Sequence, residues 1–190
     1  MTFHYNGKYN GDPKSLPGHE PVANAVRFRE PENSRTLGLV ANGIALVLFL
    51  VFAAVGIWRS RYFWNGWALL LYLAILVPHE FLHAICFKED VYMYQNLKQG
   101  MLFVIGPESM SKGRFIFMSL LPNIVFGLVP YGIYLICPQL NLLGSLGCLA
   151  LVSGAGDYLN VFNALTQMPK GSRTYLYEFH SWWYLPEEHE

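Results

Sequence analysis

Four long apolar runs alternate with polar stretches along the chain, and their lengths set the predicted architecture. Residues 1–36 are polar and rich in Gly, Pro and Asn, with turn signals at Asn10-Gly11-Asp12-Pro13 and Leu16-Pro17-Gly18. Within them Val26-Arg27-Phe28-Arg29 alternates and predicts one short strand. Residues 37–58 are long enough to cross the hydrocarbon core of a bilayer as a helix. Arg59-Ser60-Arg61 makes a tight turn, followed by Tyr62, Phe63, Trp64 and Trp67, which suit an interfacial aromatic belt. A second apolar run covers residues 69–87. The longest internal connection, 88–114, holds two strand-like segments, 91–96 and 101–106, joined by Leu97-Lys98-Gln99-Gly100; it predicts a β-hairpin. A third run, 115–136, is interrupted by Pro122 and Pro130. The fourth, 141–165, is ended by Met168-Pro169-Lys170-Gly171. Trp182, Trp183 and Tyr184 suit a segment lying at the headgroup level.

The pattern predicts an all-α integral membrane protein with four transmembrane helices and a small cytoplasmic β-hairpin between the second and third. Its parts are an N-terminal tail (1–36), a four-helix membrane core (37–165, with the hairpin insert at 88–114) and an interfacial C-terminal tail (166–190). Composition agrees, since 53% of the residues are hydrophobic and 14% charged. Zero net charge leaves no basic surplus to neutralise phosphates, which argues against nucleic acid as a partner. Lys and Arg number five in the N-terminal tail, four in the 88–114 connection and two in the C-terminal tail. The opposite side has only Arg59 and Arg61. Both termini and the hairpin are therefore expected in the cytoplasm. No short apolar core of a cleavable signal occupies roughly the first thirty residues, so the first span is expected to direct insertion itself. Cys86, Cys137 and Cys148 fall in or beside apolar runs and read as small buried side chains.

The chemistry lies in the second run, which contains His79-Glu80-Phe81-Leu82-His83. Residues four apart share a helix face, so His79 and His83 can present two imidazoles to one metal ion. Glu80 sits beside them, where a carboxylate can take a proton from the water such an ion activates. A pair of core histidines is the plain alternative, but desolvating each in a bilayer without a partner is costly. A catalytic zinc takes three protein ligands. The leading third candidate is Asp157, an ionisable residue at membrane depth. It continues a stripe of small residues, Gly147, Ala150 and Gly154, that lets another helix approach closely. The second and fourth runs point the same way, and counting residues from their ends puts Asp157 and His79 at similar depth. The bland alternative is a carboxylate bonded to Asn160 or Ser153 to fix packing. Glu108 and Asp90 are the other ligand candidates, and His180 a more distant one.

HEFLH on one membrane helix, followed two spans later by an aspartate after small residues, resembles the site-2 protease family of intramembrane zinc metalloproteases. The whole chain more closely resembles a family of bacterial membrane proteins described as putative zincin peptidases. That likeness is carried by SLPG at 15–18, VRFREP at 26–31, HEFLH at 79–83, LLPN at 120–123, SGAGDYLN at 153–160 and MPKGS at 168–172. It implies one Zn²⁺ per chain, with His79 and His83 as ligands, Asp157 as third ligand and Glu80 as catalytic base. Two departures from site-2 proteases stand out. Tyr158 follows the aspartate where they have glycine, and their Asn-Pro-Asp-Gly signature is absent.

The function expected is hydrolysis of peptide bonds in membrane-embedded or membrane-proximal substrates near the cytoplasmic leaflet of a cell membrane. Such a substrate must unwind locally, and the hairpin can hold it by strand addition at an edge. Asn123 can bind the unwound backbone, or it can satisfy the carbonyl that Pro122 frees. Pro78 should kink the second helix, because it cannot bond the carbonyl of Ala74. A non-catalytic membrane scaffold or chaperone with a structural zinc is the alternative function, and it would not need Glu80. A metal-ion transporter ranks last, because the first span offers only Asn42 to a polar pathway. Iron, cobalt and manganese also suit a His₂Asp site.

Overall fold

In the computed structural model the apolar runs are helices, and the polar stretches between them pair into sheets. The structure describes residues 1–31, 34–96, 100–177 and 180–187; the turn expected at Leu97-Lys98-Gln99 lies outside them. Helices α1 (Ser34–Arg59) and α2 (Trp67–Ala84) flank a short turn. Helix α2 continues through Pro78 without a break. Helix α3 (Lys112–Pro122) runs through a π-helical segment, Asn123–Leu128, into α4 (Val129–Ile136). Prolines 122 and 130 donate no N–H. Between them the turns widen, and the Val129 N–H reaches the carbonyl of Ile124. Helices α5 (Asn141–Ser153) and α6 (Ala155–Gln167) meet at Gly154 with a bend of 52°.

The all-α expectation is corrected by seven strands among the described residues: β1 (Phe3–Lys8), β2 (Val26–Arg27), β3 (Val91–Asn96), β4 (Met101–Ile105), β5 (Met110–Ser111), β6 (Arg173–Tyr177) and β7 (His180–Tyr184). They form a three-stranded sheet in the order β1-β3-β4 and a four-stranded sheet in the order β2-β7-β6-β5, so the fold is mixed α/β. The expected hairpin exists as β3–β4, and β1 joins it in parallel. Strand β1, Phe-His-Tyr-Asn-Gly-Lys, lacks apolar alternation, so its pairing through backbone left no periodic signal. Strands β6 and β7 are rich in Tyr and Trp, which suit a half-buried sheet as well as a membrane interface. The expected count of four spanning helices is also revised. Arg35–Arg59, Trp67–Ala84 and Lys112–Ile136 are each long and apolar enough to cross a membrane. The fourth run qualifies only if the bent α5–α6 pair is taken as one span.

Contacts divide the chain into two units. The first comprises residues 1–29, 80–118 and 161–190 and contains both sheets. Its packing fixes the end of α2: Ala84, Phe87, Val91 and Met110 form a cluster against which Phe115 and Met118 of α3 lie. A second cluster, Phe28, Ala164 and Met168, joins the end of α6 to Trp183 of β7. Beyond α2 the chain is held by charge. Arg114 Nε donates to the Cys86 carbonyl at 2.8 Å, and the buried Glu108 carboxylate accepts from the N–H groups of Lys88 and Glu89 and from Arg114. Burial pushes the Glu108 carboxyl up, but these donors together outweigh it and hold the group below its ordinary range.

The second unit comprises residues 30–79 and 119–160. Phe63, expected in an aromatic belt, is instead fully buried among Tyr131, Tyr134, Cys148 and Leu151. The other expected belt residues, Tyr62, Trp64 and Trp67, are exposed. The two buried tyrosines donate their hydroxyl hydrogens to carbonyls of α1, Tyr131 to Phe52 and Tyr134 to Gly56. Gly147 allows the closest helix approach: a Cβ there would stand 2.6 Å from the Tyr131 nitrogen and 2.8 Å from the Gly127 oxygen. That is the backbone-to-backbone packing that small residues permit.

Candidate metal centre

His79, Glu80 and His83 share the last turns of α2, where helical spacing puts both imidazoles and the carboxylate together. One donor atom from each lies within 4.8 Å of the others, a grouping able to hold one metal ion. His83 is 7% exposed, and its Nδ1 stands 2.8 Å from the Met118 carbonyl oxygen. A carbonyl only accepts, so Nδ1 carries the hydrogen, and in the neutral ring the lone pair is on Nε2. This is the outer-shell contact by which proteins orient metal-binding histidines.

Within the second unit, Nε2 of His79 stands 3.6 Å from Oδ2 of Asp157, with both side chains mostly buried. That is too long for a hydrogen bond. Two ligands of a tetrahedral ion, bonded at about 2.0–2.1 Å, stand roughly 3.3–3.4 Å apart. The pair therefore has the spacing of neighbouring ligands. Asp157 lies in the first turn of α6, placed there by the bend at Gly154 rather than by a straight fourth helix. Ser153, one expected partner of Asp157, bonds the Ala150 carbonyl instead.

Asn123, 2% exposed, donates from Nδ2 to Asp157 Oδ2 at 2.7 Å and to the Ser119 carbonyl at 3.1 Å. Its amide is thus turned with both hydrogens engaged. The carbonyl freed by Pro122 is that of Met118, so the carbonyl that Asn123 satisfies is the next one along. Tyr158 donates to the Leu151 carbonyl at 3.0 Å and stands 3.4 Å from Asn123 Oδ1. A Cβ on Gly154 would collide with Asn123 Oδ1, so glycine is what lets the amide approach.

The other ligand candidates are engaged elsewhere. Glu108 holds the segment after α2, Asp90 Oδ2 lies 3.7 Å from His4 Nε2, and His180 accepts from Arg27 at 3.1 Å. The sequence reading missed two participants. The Met118 carbonyl is backbone, and no residue type marks it. Tyr158 was noted only as a departure.

The donor set of two imidazoles and carboxylates is the one zinc takes in hydrolytic sites. No curated protein and no solved structure matches the chain. The model of a family described as putative zincin peptidase matches residues 71–173, over half the chain, including all of His79, Glu80, His83, Asn123 and Asp157. The chain belongs to the putative zincin peptidase family, and zinc is the metal that this family and the His79-Glu80-His83 cluster imply.

Proposed function

We propose that this protein is a zinc metallopeptidase that cleaves peptide bonds in segments within or beside a membrane. His79, His83 and Asp157 are the protein ligands and Glu80 is the general base. One observation carries the reading: the 3.6 Å separation of His79 Nε2 and Asp157 Oδ2, two groups far apart in sequence. The likeness to site-2 proteases supports the membrane setting, as do three helices of spanning length.

When bound, zinc supplies Lewis acidity, making water acidic to a pKa of about 7 and polarising a carbonyl. The Glu80 carboxylate takes a proton from the attacking water and returns it to the leaving amine nitrogen. Its place on α2 beside both imidazoles suits that transfer. Asn123, through its bond to Oδ2, turns Asp157 so that the carboxylate is held beside His79. This positioning role accounts for both amide hydrogens better than direct substrate contact does. Substrate backbone must be extended before it can be cut. Strand β4 pairs with β3 on one side only among the described residues, and its other edge suits an added strand.

The test uses purified protein with zinc analysis and a panel of single-span peptides. Glu80→Gln should keep one zinc per chain and lose about 10²–10⁴-fold in cleavage rate. His79→Ala and Asp157→Ala should lose the metal. A Glu80→Gln protein that cleaves at the native rate would remove Glu80 as the base, and a zinc-loaded natural protein that cleaves none of the peptides would leave only a structural zinc site. Unchanged zinc affinity in Asp157→Ala would remove the aspartate from the ligand set.

A further inference from the structure

We infer that Pro122 is a positioning residue for His83: by withholding a backbone N–H it leaves the Met118 carbonyl to the histidine ring. The inference rests on reading His83 as a zinc ligand. In an α-helix the N–H of each residue bonds the carbonyl four residues back. For residue 122 that carbonyl belongs to Met118, and proline has no hydrogen to give. A carbonyl so released tilts away from the helix axis and takes a lateral donor. The donor is His83 Nδ1 at 2.8 Å.

The contact does two things at once. It satisfies a backbone oxygen that an apolar surrounding would otherwise leave bare, and it fixes the ring as the Nδ1–H tautomer, with Nε2 as the metal-binding nitrogen. Met118 and Phe115 also pack against the Ala84 and Phe87 cluster, so the carbonyl and the ring are held on elements that share a core. Pro122 is itself fully buried, so it is not a surface punctuation mark.

The experiment replaces Pro122 with Ala, which restores an N–H able to compete for the Met118 oxygen. A carbonyl has two lone pairs and can share, so zinc affinity measured by chelator competition should fall about tenfold, the lower end of the usual ~10–100-fold for such contacts. Pro130→Ala, the other proline of the same helical run, should leave affinity unchanged. In ¹⁵N-histidine NMR of the zinc-free protein, the His83 signal is identified by its loss in His83→Gln. It should show a protonated Nδ1 in the natural sequence and a mixture of tautomers in Pro122→Ala. Affinity within about twofold of the parent together with an unaltered tautomer overturns the role of Pro122 while the zinc site stands. Should Pro122→Ala not fold, the parent spectrum decides, because an Nε2–H tautomer at His83 refutes the contact. A His83→Ala protein that binds zinc as the parent does refutes the ligand reading beneath it.

Discussion

At the scale of single residues, the metal centre was legible where it is local and hidden where it is relayed. His79, Glu80 and His83 lie within one and a half helical turns, so residue type and spacing alone place them together. Asp157 needed a separate argument, from the cost of a carboxylate at membrane depth. Asn123 was noticed, but its task was not, because what it does depends on a neighbour 34 positions away. Removing that neighbour's donor gives a prediction. Asn123→Ala leaves Asp157 Oδ2 without its 2.7 Å partner, so zinc affinity should fall about 10–100-fold by chelator competition. An unchanged affinity would mean that the bond only packs α6 against the π-helical segment.

At the scale of elements, the helical runs were readable from length and hydropathy, and the small-residue stripe correctly foretold a close approach at Gly147. What the pattern could not carry was the bend. Gly154 joins α5 and α6 at 52°, and nothing in an apolar run distinguishes a straight helix from a broken one. Beyond the hairpin, the alternation at residues 26–29 did mark β2, while the other strands were hidden for the reasons given by β1, β6 and β7: short, polar or aromatic segments whose partners are distant in sequence. The end of α2 offers an element-scale test that does not involve the metal. Glu108 has its carboxyl held below the ordinary value of 4.5 by Lys88, Arg114 and Glu89 despite its burial. A depressed folded value contributes stability that is present above about pH 4.5 and is lost as the pH falls through the lower, folded value. Glu108→Gln removes the charge from a side chain only 6% exposed, so it should cost about 2 kcal/mol at neutral pH. It should also lack that part of the acid-side decline. Thermal midpoints in detergent across pH 3–7 would check both; parallel curves for the two proteins would assign the acid sensitivity elsewhere.

At the scale of the whole molecule, strand pairing constrains how the chain can thread a bilayer. If α1 and α2 cross a membrane, the pairing of β1 with β3 requires the chain between those strands to leave and return to one side. Strand β5 pairs with β6, so the run from α3 to α6 must also return. By its geometry the bent α5–α6 pair is either a broken span or a re-entrant loop, and labelling from the two sides separates these. By sequence, segments 1–36, 88–114 and 166–190, to which the strands belong, carry eleven of the 13 Lys and Arg residues, so their side is expected to be the cytoplasmic one. His79, five residues before the end of α2, would then lie roughly 8 Å inside that boundary, at ~1.5 Å per residue. Impermeant maleimide labelling of single-cysteine variants, with Cys86, Cys137 and Cys148 replaced, reads this out. A cysteine at Gln139, exposed between α4 and α5, should react in intact cells. Cysteines at Asn10 and Lys170, exposed on the strand-bearing side, should react only after permeabilisation. Labelling of Gln139→Cys and Lys170→Cys from the same side would make the α5–α6 pair a re-entrant loop, and labelling of Asn10→Cys in intact cells would overturn the cytoplasmic side expected for the strands.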